Sequence, residues 1–232
     1  MTNPCRRHFV RVSAAIEAAA ANPTQTMAGA TAYEHQLNQL LQDRLRLKQV
    51  QSNQGKAELK RQLLPDYIPY VQGVLEGGKG AQDEVLTTIM VWRIDAEDFS
   101  GALDIADYVL KHKLIMPDRF ERTTGCLVAE EVATVALKAL KVGEPFELAI
   151  LQRTAELTDA EDMPDQARAK LFLAMGRATL EGLTDDQPGQ PGQVQAGIDL
   201  LKKAIDLHDA CGGKKDLERA ERLLNRLAAA GS

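Results

Sequence analysis

The stretch GVLEGGKGAQDE, residues 73–84, places Gly73, Gly78 and Lys79 one residue short of the phosphate-binding loop G-x-x-x-x-G-K-[ST]. In that loop the backbone amides cradle phosphates, the lysine neutralises them and a Ser or Thr hydroxyl ligates Mg²⁺. Here Gly80 stands at the hydroxyl position and supplies no ligand. The preceding residues, LLPDYIPYVQ, carry Pro65 and Pro69 where a buried strand would need ladder donors. No later apolar run ends in an aspartate that would complete a metal site. The stretch therefore reads as a helix ending at Gly77-Gly78 and a second helix starting near Gly80, with Asp83 and Glu84 in its first turn, where acids suit the helix dipole.

Other chemistry is sparse. The chain has no H-E-x-x-H and no G-x-S-x-G, and its four histidines (His8, His35, His112, His208) are scattered. Cys5, Cys126 and Cys211 lie far apart with no C-x-x-C, which suggests neither a zinc site nor a disulfide framework and fits a reducing compartment. A metal-dependent nuclease needs carboxylates that converge on one or two cations. The candidates are Asp83 and Glu84, and then Asp95, Glu97 and Asp98. On helices and turns of an acidic chain such groups read first as solvated or capping. After Pro65-Asp66 no lysine has an acid two positions before it, so the restriction-like pattern fails too. The residues themselves assign no catalytic group, no metal ligand and no cofactor.

Charge is more informative. The net charge of −5 is uneven. Residues 1–61 hold nine cations, Arg6, Arg7, Arg11, Arg44, Arg46, Lys48, Lys56, Lys60 and Arg61, against four acids, Glu17, Glu34, Asp43 and Glu58. A basic N-terminal part on an acidic body suits a protein that holds a polyanion at one end and protein partners with the other. The plain alternative is the solvated face of a helix. Phosphates need Lys and Arg but no fixed motif, so these nine cations are the candidate DNA contacts. No helix-turn-helix signature identifies a recognition helix.

The elements that must position these groups are helical. Aromatic residues make up 4% of the chain, and Ala, Leu, Glu, Lys, Arg and Gln dominate, which favours helix over sheet. Residues 4–21 form a short helix, followed by the linker-like ANPTQTMAG. From Thr31 to Leu64 runs a long helical pattern in which Tyr33, Leu40 and Leu47 recur every seventh residue; it suits a helical hairpin or a coiled coil between subunits. QSNQGK at 51–56 either breaks the pattern into two helices or is a weak heptad. Val85, Ile89 and Trp92 share helical spacing, so Trp92 reads as a core anchor. A helix with Phe99, Ala102, Leu103, Ile105, Ala106 and Val109 facing inward is expected to stop by Pro117. Further helices are expected over 127–140 and 145–157, and another opens at Pro164. ALDIADYVLK (102–111) and GIDLLKKAID (197–206) echo one another and resemble the second helices of tetratricopeptide-like pairs. LTDDQPGQPGQ, 183–193, is a loop. No apolar run has transmembrane length, and Arg11 and Glu17 interrupt any signal-peptide core.

The block from LLPDYIPYVQ through GVLEGGKGAQDE to KLIMPDRFERT, together with RRHFVRVSAA, TAYE, ELTDAEDMPDQARAKL and KKDLERAERLL, resembles the terminase small subunits of temperate, contractile-tailed bacteriophages. The resemblance covers nearly the whole chain. It implies a protein that recognises double-stranded viral DNA at the packaging site, assembles as a homo-oligomeric ring and recruits a large ATPase subunit, in the cytoplasm of the infected bacterial host and without a membrane. The family also bears an endonuclease label, although no nuclease or ATPase motif is found in this chain. Members of the family end in a long Lys-, Arg- and Pro-rich tail, whereas this sequence stops at LAAAGS; if that tail helps hold DNA, the N-terminal charges are expected to carry more of the contact here, and otherwise a different segment binds.

The expectation is thus an all-α chain of helical hairpins in three parts. Residues 1–62 form a basic helical or coiled-coil region for DNA contact and oligomerisation, 63–145 a central helical domain, and 146–232 a helical-hairpin domain for partner docking, in which KKDLERAERLLNRLAAA is a candidate docking helix. Two rivals stand beside it. One is an intrinsic metal-dependent endonuclease using Asp83 and Glu84, and the other a tetratricopeptide-like scaffold that makes no DNA contact.

Overall fold

A computed structural model of the chain describes residues 3–23, 26–117 and 122–230. Thr24 and Gln25 of the expected linker, and Gly231 and Ser232 of the C-terminal residues, lie outside the described residues. Within the described residues the chain is all-α, with ten helices and, as its only β-type contact, an isolated bridge between Thr26 and Gln82. It divides into two compact units, residues 1–124 and 125–232.

The first unit holds α1 (Pro4–Ala20), α2 (Thr31–Gln49), α3 (Asn53–Gly77), α4 (Glu84–Asp95) and α5 (Phe99–Lys111). Local chemistry sets their starts. The Asn3 side chain accepts from the Cys5 N–H at 2.9 Å ahead of Pro4, whose missing N–H costs nothing at the first helical position. Ser52, Asp83 and Asp98 cap α3, α4 and α5 in the same way, through the N–H groups of Gly55, Leu86 and Gly101. Asp83 is thus the cap of α4 and Glu84 its first residue, so this helix starts a few residues later than the sequence suggests.

The seven-residue spacing in α2 is filled within the chain: Tyr33, Leu40 and Leu47 are buried, and the turn at 50–52 separates α2 from α3. Fully buried Leu40 alone contributes about 2 kcal/mol through the area it removes from water. The same face also buries Gln36 and Asp43, which a hydrophobic heptad does not anticipate. Asp43 is satisfied there, accepting from the Tyr67 hydroxyl at 2.8 Å and from Arg46 at 2.9 Å.

Helix α3 runs through Pro65 and Pro69, which leaves the carbonyls of Arg61 and Pro65 without intrahelical donors. Its far end packs on α1 at very close range. A Cβ at Gly73 would stand 2.2 Å from the Arg11 carbonyl oxygen, and one at Gly77 would stand 2.4 Å from that of Ala15. Two glycines one turn apart therefore form the flat surface that admits α1. Trp92 is buried and meets Tyr67 edge-on at 6.0 Å. Ala102, Leu103, Ile105, Ala106 and Val109 of α5 are buried and Phe99 is partly exposed; the helix ends at Lys111.

The second unit holds α6 (Thr124–Lys141, which starts at the boundary), α7 (Leu148–Thr158), α8 (Asp165–Leu180), α9 (Gln193–Leu207) and α10 (Lys214–Ala230). Helices α8 and α9 pack closely: a Cβ at Gly176 would stand 2.9 Å from Leu201, and one at Gly197 2.5 Å from Leu180. Leu173, Leu201 and Ala204 form one cluster, and Val194, Ile198, Ala220 and Leu223 another. The second cluster takes up the apolar face of α10. That helix, the expected docking element, presents its charged residues outward and its leucines to α9. The echoing segments 102–111 and 197–206 fall in α5 and α9, each the second helix of a packed pair but in different units.

Candidate nucleic-acid interface

The glycine-rich stretch does structural work. Gly80 adopts φ +91°, where L side chains are strained, and a Cβ there would meet the His112 ring at 2.6 Å. Its N–H donates to the Tyr108 hydroxyl at 2.8 Å, and the Gly78 N–H closes α3 on the Val74 carbonyl at 2.8 Å. Two amides that a phosphate loop would aim at its ligand are therefore spent inside the protein. Gln82 ties the same connection down: its side chain donates to the Ile115 carbonyl at 2.7 Å and accepts from the Ile115 N–H at 2.8 Å.

Asp83 and Glu84 are similarly engaged. Asp83 is fully buried, accepts from the Tyr70 hydroxyl at 2.6 Å and caps α4 through the Leu86 N–H at 2.8 Å. Burial pushes its carboxyl up to about 6, against the pull of those hydrogen bonds. Burial, and secondly the Asp83 charge, raise nearby Tyr33 to about 12. Burial also raises the Tyr70 hydroxyl well above the usual tyrosine range, again with Asp83 as the next cause. Glu84 accepts from Arg44 at 2.7 Å. Among the described residues no three His, Cys, Asp or Glu side chains come together as a metal site. This corner is a capped, buried polar joint between α3 and α4.

The nine cations named above all lie in the first unit, and they fall into two groups. Arg44 bridges α2 to α4, bonding Glu84 at 2.7 Å and Thr88 at 2.8 Å. Lys60 pairs with Asp95 at the end of α4, and Arg61 donates to the Ala96 carbonyl at 3.1 Å, with Glu58 at 3.3 Å and Glu97 at 3.7 Å. Arg46 pairs with Asp43, and Arg11 with Glu76 at 3.6 Å. These five hold helices together or answer an acid on their own surface.

Arg6, Arg7, Lys48 and Lys56 meet no acid within the described residues. Arg6 and Arg7 are exposed in the first turn of α1, where no acid balances the positive end of the helix dipole. Their positive charge is locally unfavourable for α1 and available to an anion. They overhang an open cleft of about 110 Å³ formed with His35, Gln36 and Gln39 of α2 and Asp66 of α3. Exposed Lys48 and half-buried Lys56 flank the turn between α2 and α3. From Gln36 to Lys48 is about 18 Å along α2, the rise of roughly five base pairs of duplex.

Sequence reasoning grouped all nine cations because charge is visible in a sequence while its partners are not. It also missed Gln36. The signal was a polar residue inside an apolar seam, one turn before Leu40.

A family model described as the phage small terminase subunit matches residues 37–166. The chain is 42% identical over 224 residues to a protein of Escherichia phage P2 described as "Terminase, endonuclease subunit", covering 97% of this chain and 86% of that protein. It is 25% identical over 186 residues to the "Probable terminase, endonuclease subunit" of Haemophilus phage HP1 (strain HP1c1), covering 76% of this chain and 64% of the relative. No solved structure matches. With more than half the chain matched by the family model and nearly all of it by the P2 relative, the protein belongs to the phage small terminase subunit family and has its role in viral genome packaging.

Proposed function

We propose that the chain is the DNA-recognition subunit of a phage packaging enzyme. In this reading it binds double-stranded viral DNA at the packaging site through the first unit, assembles as a homo-oligomeric ring and recruits and regulates the large ATPase subunit in the host cytoplasm. The observation that carries the DNA contact is the group of four cations, Arg6, Arg7, Lys48 and Lys56, none of which forms an ion pair among the described residues. Each phosphate such a group neutralises releases condensed counterions, which makes affinity salt-dependent.

The test is a salt series on duplex DNA containing the packaging site. Replacing Arg6, Arg7, Lys48 and Lys56 together by Ala should weaken binding and flatten the salt slope by about one per lost phosphate contact. None of the four ties helices together through an ion pair, which predicts little change in thermal stability. Arg44→Ala is the contrasting variant, since it removes the tie between α2 and α4 and should chiefly destabilise. An unchanged salt slope in the four-residue variant, or a wild type that ignores duplex DNA, overturns the reading.

The names of both relatives favour a second reading, in which the chain itself cuts DNA. Purified protein incubated with packaging-site DNA and Mg²⁺ or Mn²⁺, without the large subunit, tests it directly. Cleavage that survives Asp83→Asn would place the active groups away from the α3–α4 joint.

A further inference from the structure

The cleft under the first turn of α1 has one feature that its charge does not explain. Gln36 is only 3% exposed, lines the cleft, and its Oε1 has no hydrogen-bond partner. A buried amide left unpaired costs free energy, and the helical seam around it would take a leucine. Oxygen and nitrogen of a glutamine amide are interchangeable in assignment, so the amide can turn an N–H toward the cleft. Around it stand Arg6, Arg7, His35 and Gln39, all able to donate, and one acid, Asp66.

We infer that this cleft is a built subsite for a single phosphodiester of nucleic acid, with Gln36 as its buried donor and Arg6 and Arg7 as its cations. The inference rests on the DNA-binding reading and gives it a register point. Charge selects the ligand. Two exposed arginines make the mouth of the cleft positive, which suits the negative charge of a backbone phosphodiester. Phosphate contacts of this kind fix how a protein sits on a duplex without reading its sequence.

The decisive variant is Gln36→Leu, examined in the full-length chain by fluorescence anisotropy on a packaging-site duplex and by thermal unfolding. The expected result is roughly tenfold weaker DNA binding, the size of one hydrogen bond to a charged group, at an unchanged salt slope because glutamine is neutral. Thermal stability should be equal or higher, since an unpaired buried amide is removed. A packing role for Gln36 predicts the reverse: lower stability and unchanged affinity. Duplex binding that persists in the wild type but is indifferent to Gln36→Leu overturns the subsite and leaves the broader reading standing, whereas a wild type that binds no duplex overturns both. Inorganic phosphate, added at constant ionic strength, should compete no better than chloride. Specific displacement by it would reassign the cleft to free phosphate.

Discussion

Asp83 shows how one residue links local structure to stability. Its carboxylate caps α4 and accepts from Tyr70, yet it is fully buried, and burial wins: its pKa rises from 3.8 to about 6. The native state therefore holds this proton more tightly than the unfolded chain does. Its contribution to stability is complete below about pH 4 and is lost as the pH rises through about 6. A gap of roughly two pH units corresponds to about 3 kcal/mol. Asp83→Asn retains an oxygen for the Leu86 N–H and cannot ionise, so its stability should lack this component. Urea unfolding of both proteins between pH 4 and 7 should show the wild type losing up to about 3 kcal/mol relative to the variant. Parallel stability profiles would mean that Asp83 stays charged or that the unfolded chain shields it equally.

At the scale of elements, the helices were legible because their causes are local. Apolar spacing and Pro or Gly punctuation placed α1, α5, α10 and the start of α8 within a few residues, and they marked the end of α3 at Gly77. Partners were not legible, because they come from elsewhere in the chain. The fit of Gly73 and Gly77 under α1, the burial of Asp43 against Tyr67 and the division of nine cations into tied and untied groups each depend on residues remote in sequence. The glycines give a direct test. Gly77→Ala inserts a Cβ within 2.4 Å of the α1 backbone, and backbone cannot rotate aside as a side chain can. The expected cost is about 1–3 kcal/mol from forced separation of α1 and α3. Gly80→Ser, which restores the hydroxyl of a phosphate loop, should confer no ATP binding and should also destabilise, because it forces a side chain into a left-handed backbone beside His112. A variant that binds ATP would overturn the structural assignment of this stretch.

Across the whole molecule, charge has to be counted by folded unit. The surplus of five positive charges in residues 1–61 is cancelled once the first unit is taken entire, because residues 1–124 hold fifteen cations and fifteen acids, and the net −5 belongs to residues 125–232. Much of the cancellation is direct pairing, as with Arg44 and Glu84 or Lys60 and Asp95. In the proposed reading, DNA attraction is therefore a matter of a few untied cations and not of a strongly basic domain, which predicts a shallow salt slope of about four. The same sparseness bears on assembly. Few phosphate contacts per chain give weak binding, and several linked copies raise it through effective concentration without new contacts. The heptad residues of α2 and the leucines of α10 are spent inside the chain, so the proposed assembly would use other surfaces. Phe9, Val12 and Ile16, exposed on one side of α1, supply apolar area for such contacts. Native mass measured at moderate salt should therefore show a closed assembly several times the 25.4 kDa of the chain, and Phe9→Ser with Ile16→Ser should reduce it. A monomer that nonetheless binds duplex with a slope near four would place DNA recognition in the single chain and remove the ring from the proposal.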